Sequence, residues 1–101
     1  MYTIDIKAVN NGRTVKMPSL SMFYGIIIYM YKDDHYPPHI HARYQGEEAR
    51  YDLDGNLIEG KLPKKKHKMV EAWIAIHEDE LKANWIMINE KDEICKIEPL
   101  K

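Results

Sequence analysis

The chemistry-bearing residues of this chain crowd into one short stretch. His39, His41 and Arg43 precede Gln45-Gly46, and Glu48, Arg50 and Asp52 follow it, each alternating with a neighbour of another kind. A period of two is that of a β-strand, so alternate side chains share a face. A two-residue loop at Gln45-Gly46 sets Arg43 against Glu48, His41 against Arg50 and His39 against Asp52. On the other face it pairs Tyr44 with Glu47, Ala42 with Ala49 and Ile40 with Tyr51. A second two-residue loop at Asp54-Gly55 sets Arg50 against Glu59 and Tyr51 against Ile58. One face is then mostly apolar. The other gathers His39, His41, Arg43, Glu48, Arg50, Asp52 and Glu59.

Three kinds of chemistry fit that polar face. The first is a solvated surface with cross-strand ion pairs, each contributing roughly 0.2–1 kcal/mol. The second is a cofactor-free site acting on a phosphate ester such as RNA. There His39 and His41 serve as the acid/base pair, Arg43 and Arg50 clamp the phosphate, and Asp52 orients His39. The third is a metal site, with His39 and His41 on one strand face and His35 or Asp34 completing the set. Arg43 and Arg50 oppose a cation there. Whether the chain is an enzyme stays open among the three.

A second locus lies at Lys64, Lys65 and Lys66, within a basic run from Lys61 to Lys68. Proline suits a first helical turn, and no Ser, Thr, Asp or Asn directly precedes Pro63 to cap the free amides. Uncapped amides beside lysines make an anion site; the alternative is a solubilising charge run.

The elements that position these residues read as an antiparallel β-meander followed by helix, an α+β fold. Tyr2 to Val9 alternates, and Asn11-Gly12 is a hairpin signal that places Ala8 opposite Val15 and Ile6 opposite Met17. Pro18 is expected to end that hairpin. Met22 to Tyr31 is apolar on both faces and reads as one central strand. Residues 32–38 form a loop stiffened by Pro37-Pro38, and strands are expected at 39–45, 47–53 and 57–60. From Pro63 the period changes. Val70, Trp73, Ile74, His77, Leu81, Trp85 and Ile88 recur at three and four residues, which favours one long or bent helix over 64–90, or a helix pair with Asp79 as cap. Trp73 and Trp85 are expected as core residues, and His77 as a hydrogen-bonded one.

The bulk composition excludes several classes. The chain has 101 residues, 45% hydrophobic and 31% charged, with a net charge of −1. That suits one globular domain, and gives no general polycation for nucleic acid. The single cysteine, Cys95, precludes an intrachain disulfide and makes the cytoplasm the default compartment, with Cys95 half-buried. No signal peptide is visible, and the longest apolar run is about half the ~20 residues a membrane span needs.

Several separated motifs resemble a known family. They are Met17-Pro18; Phe23-Tyr24-Gly25-Ile26; Asp34-His35 with Pro37-Pro38-His39-Ile40-His41; Glu59-Gly60 with Leu62-Pro63; and Ile97-Glu98-Pro99-Leu100. Over residues 17 to 100 the chain resembles small prokaryotic proteins catalogued as a domain of unknown function (DUF family four-one-six-zero). The resemblance implies a DhiT-like toxin of a type II toxin–antitoxin pair, encoded beside a small antitoxin-like partner protein. It supplies no catalytic residues. Members commonly begin near Met17, so residues 1–16 read as an added N-terminal hairpin or an upstream start, with 17–101 as the single α+β domain. The rival to a toxin acting on RNA is a non-catalytic module that binds a small partner protein; either could form a homo-oligomer.

Overall fold

The computed structural model describes residues 4–10 and 13–101, and side-chain surroundings from Ser19 onward. Six strands follow in chain order: β1 Ile4–Asn10, β2 Arg13–Phe23, β3 Ile26–Tyr29, β4 His39–Tyr44, β5 Glu47–Asp52 and β6 Leu57–Gly60. Each pairs antiparallel with the next, so the sheet order is the chain order. Two helices follow, α1 Lys64–Ile76 and α2 Glu78–Lys91. The architecture is the expected α+β meander.

The two strands that carry the chemistry pair as the alternation requires. Gln45 and Gly46 both take positive φ, +46° and +84°. All six expected β4–β5 partners meet, from His39 with Asp52 to Tyr44 with Glu47. The next turn differs. Arg50 meets Glu59, but Tyr51 meets Leu57 rather than Ile58, because a bulge separates Arg50 from Tyr51. The Asp54-Gly55 turn is wider than two residues: the Asp52 N–H donates to the Asn56 carbonyl at 2.9 Å, and Gly55 N–H to the Asp52 carbonyl at 3.1 Å.

Three expectations elsewhere are corrected. Met22 to Tyr31 is not one strand. Tyr24 and Gly25 turn the chain with φ of +50° and +81°, and Phe23 pairs with Ile26. An apolar turn is invisible to a hydrophobic pattern. Pro18 does not end a hairpin; it lies inside β2 opposite Ile4. Its described register partner is on β1, while pairing with β3 begins at Ser19, and proline is tolerated where a strand has an unpaired side. The boundary drawn at residue 17 therefore falls within β2. In the first hairpin Ala8 meets Val15 as expected, but a bulge shifts Ile6 onto Lys16 instead of Met17. The Asn11-Gly12 turn itself is outside the described residues.

The helical stripe is interrupted once. His77 (φ −114°, ψ 26°) separates α1 from α2, and Asp79 is not the cap. The break costs little, since Leu81 N–H still donates to the His77 carbonyl at 2.9 Å. Glu78, Asp79 and Glu80 fill the first turn of α2, where carboxylates suit the dipole. The stripe keeps its phase across it. Val70, Trp73, Ile74, Leu81 and Ile88 are buried against Ile28, Ile40, Ala42, Ala49 and Tyr51 of the sheet. Each large buried side chain contributes about 1.5–3 kcal/mol. Trp73 is fully buried and donates Nε1–H to the Glu98 carbonyl at 2.8 Å. Trp85 and His77 are half-buried, and Cys95 is exposed rather than half-buried. The residue beneath that tail is Asn84, buried, whose Oδ1 accepts from the Cys95 N–H at 2.8 Å.

The β5–β6 pairing rests on one close approach. Gly60 has φ +78°, and a Cβ there would lie 2.1 Å from the Glu48 carbonyl oxygen. Gly60→Ala should destabilise the fold by roughly 2–3 kcal/mol or more in urea unfolding. Gly46→Ala, whose Cβ meets nothing within 4 Å, should cost about 1 kcal/mol from its left-handed backbone alone. Equal costs at the two positions would contradict the packing at Gly60.

Candidate functional site at Asp34, His39 and His41

His39 and His41 lie on the sheet face opposite the core, as alternation requires. That face is not open. Residues 30–38, between β3 and β4, fold back over it. The His39 side chain is 1% exposed, His41 10% and Asp34 17%. A long connection can cover a sheet face in a way no strand period reveals.

Helix α2 holds the covering loop in place. The Asp33 N–H donates to Asn89 Oδ1 at 3.0 Å, and Asn89 Nδ2–H donates to the Trp85 carbonyl at 2.8 Å. The Trp85 ring packs edge-on against Tyr36 (6.5 Å) and lies 5.6 Å from the His39 ring. The helix thus fixes the loop, and the loop brings Asp34 to the histidines.

Asp34 Oδ2 is 2.9 Å from His39 Nε2 and 2.9 Å from His41 Nε2. Its other oxygen, Oδ1, accepts the His35 N–H at 3.0 Å. His39 Nδ1 lies 2.7 Å from the Pro37 carbonyl, and His41 Nδ1 lies 3.0 Å from Glu48 Oε2. Burial pushes the Asp34 carboxyl up, but the contacts with His41 and His39 and the His35 amide outweigh it and hold the carboxyl below its ordinary value. The Tyr31 ring packs 4.5 Å from His41. Burial, and then Glu48, push the Tyr31 hydroxyl up to about 12.

The remaining expected residues are distributed around this centre. Arg50 is on the rim, its NH1 3.0 Å from His35 Nε2 and its other amine ion-paired with Glu59. Arg43 Nε lies 3.4 Å from Glu48 Oε1, half-exposed. His35 is 68% exposed, its Nδ1 3.2 Å from Asp34 Oδ1. The atoms that converge are therefore those of Asp34, His39 and His41, all within 4.8 Å of one another, without His35. Asp52 is opposite His39 in register, but its carboxylate turns into its own loop. It accepts from the Asp54 and Asn56 amides at 2.9 Å each and from Asn56 Nδ2 at 3.0 Å. Short acidic side chains commonly bond the backbone two residues on, and here that outcompetes the cross-strand neighbour.

The lysine locus is separate. No side chain caps α1, and its first turn holds no acid. Lys66 Nζ donates to the Tyr24 carbonyl at 3.1 Å and stands 4.9 Å over the Tyr44 ring, at the opposite end of β4 from His39. Lys64 and Lys65 are exposed. Behind Trp85 and Pro38, a cleft of about 430 Å³ is bordered by Tyr36, Pro37, Trp85 and Ile86 and by the charged Asp52, Asp54 and Lys82, without a residue of the cluster. Among the described residues no helix is long and apolar enough to cross a membrane.

The family model described as a domain of unknown function (DUF4160) matches residues 25–86, more than half of the chain. The matched span runs from the β2–β3 turn into α2 and includes every residue of the cluster. No curated protein and no solved structure matches the chain.

The Asp52 geometry has a pH signature. Burial raises its carboxyl, but the Asn56, Asp54 and Gly55 contacts prevail and hold it below the ordinary value of 3.8. A depressed carboxyl stabilises the fold above its unfolded value, and that contribution disappears as pH falls through the folded value. Asp52→Ala should therefore lose stability at about pH 6, and its difference from the wild type should shrink as pH falls below the ordinary carboxylate value, read from urea midpoints. A constant difference across that range would contradict the assignment of Asp52 to the turn.

Proposed function

Since this chain belongs to the family described as a domain of unknown function (DUF4160), a description without an activity, we propose a function from the site: it is the toxin-like component of a two-gene module, acting in the cytoplasm on a phosphate-bearing target such as RNA at the Asp34–His39–His41 cluster. The observation that carries this reading is Arg50. Its guanidinium is held 3.0 Å from His35, which in turn contacts Asp34. A planar guanidinium thus stands beside the buried cluster through His35, with its other amine on Glu59, a carboxylate that a bound phosphate would share or displace. Fixed cations of this kind stabilise the charge that develops on a phosphorus centre, and the effect is larger where water is excluded. Tyr36 and Trp85 give the adjoining cleft an aromatic wall suited to stacking a base.

A second reading has its own support. Leu57 and Ile58 are 45% and 43% exposed on β6, which among the described strands pairs only with β5. An apolar edge of this sort can add a strand from a small antitoxin-like partner protein or a second copy. The two readings are compatible if the partner restrains the activity and opposed if binding is all the chain does.

Induced expression without the neighbouring gene separates them. Wild-type chain should arrest growth, and co-expression of the partner should relieve it. Arg50→Ala and Arg50→Lys should both relieve arrest with far-UV circular dichroism unchanged, because a point charge does not replace a planar fork. Arrest that persists in Arg50→Ala would remove the basis for a phosphate-directed site and leave the binding module.

A further inference from the structure

The two buried rings face more acceptors than one N–H each can serve. A neutral imidazole carries one N–H. His39 turns Nδ1 to the Pro37 carbonyl and Nε2 to Asp34; His41 turns Nδ1 to Glu48 and Nε2 to the same Asp34 oxygen. Every one of these partners is an acceptor. With one proton per ring, two of the four contacts set lone pair against lone pair. Supplying the missing protons creates two imidazolium rings with centroids 5.0 Å apart, one of them almost wholly buried. One divalent cation supplies the same two charges from a single position. Nδ1–H of His39 then donates to Pro37, Nδ1–H of His41 donates to Glu48, and both Nε2 lone pairs face Asp34 Oδ2.

We propose that Asp34 Oδ2, His39 Nε2 and His41 Nε2 form a binding site for one divalent first-row transition-metal ion of the zinc or ferrous type. Ligands about 2.0–2.2 Å from such an ion stand about 3 Å apart when at right angles and about 3.4 Å apart in a tetrahedron. The two separations from Asp34 Oδ2, 2.9 Å each, are those of the first arrangement, and the two Nε2 atoms lie within 4.8 Å of each other. The surroundings are those of a metal centre as well. Each ligating ring has an acceptor on its far nitrogen, and the ligating carboxylate is itself oriented, by the His35 amide. Two imidazoles favour such an ion over calcium or magnesium, which prefer oxygen alone. The nearby arginines are not a bar, since Arg43 is paired with Glu48 and Arg50 with Glu59. Three protein ligands leave coordination positions for water or a target oxygen, as in catalytic rather than structural centres. The site stands whatever the target is, and it names what the toxin-like reading leaves open: the group that activates the reacting oxygen.

The test uses the full chain, stripped by chelator and titrated with zinc by calorimetry and with cobalt(II) by visible absorption. One equivalent should bind per chain. Glu48→Ala, on the half-exposed rim, should keep the fold and weaken binding about 10–100-fold. Asp34→Ala should weaken it further and change the cobalt spectrum, while His35→Ala should keep the stoichiometry of one ion per chain, since its side chain touches Asp34 without being a ligand. The absence of stoichiometric binding by the folded wild-type chain overturns the proposal. So does undiminished affinity in a folded Asp34→Ala variant, or loss of binding in His35→Ala. Metal binding without growth arrest would sink only the toxin-like reading; arrest without metal binding would sink only this one.

Discussion

One carboxylate oxygen organises the functional half of this molecule. Asp34 Oδ2 lies 2.9 Å from a ring nitrogen of each of two histidines on the same strand. Both rings are largely buried there, His39 almost wholly. Buried polar groups must find partners in the protein, and leaving one unpaired costs about 1–3 kcal/mol. The arrangement therefore requires the loop, the strand and the helix behind the loop to be in place together. Asp33 bound to Asn89, and Trp85 packed on Tyr36 and His39, are the contacts that meet that requirement.

The core serves the same end from the other side. Ile40 and Ala42 alternate with His39 and His41, so burying the first pair against α1 and α2 fixes which way the second pair points. A slip of one residue in β4 would exchange the two sets. The positive-φ turn at Gln45-Gly46 pins that register, and the Asp52 carboxylate braces the next turn. Asp52 thus contributes to the site through the strand geometry rather than by touching a histidine.

Sequence patterning made β4 and β5 legible, because alternation and a Gln-Gly turn are local signals. The six β4–β5 partners follow from them. It also made the apolar helix stripe legible, from Val70 to Ile88. What it could not disclose was tertiary. Tyr24-Gly25 hides a turn inside an apolar run, and His77 interrupts a helix whose stripe never loses phase. Asp52 looks like the partner of His39 because register is local. The actual partner, Asp34, lies across a loop whose path is set by Asn89, far along the chain. Asp34 was recognisable as a possible ligand from its place beside His35, but not its precedence over His35.

In the proposed metal site the two histidines are ligands first, and any chemistry on a phosphate-bearing target depends on the ion proposed there. The most direct measurement of that claim is X-ray absorption at the zinc edge of the zinc-loaded chain. The account predicts a nitrogen and oxygen shell at about 2.0–2.2 Å with outer-shell scattering from two imidazoles. Scattering from three imidazoles would bring His35 into the site and contradict the geometry. A shell with no imidazole scattering would contradict the central claim outright.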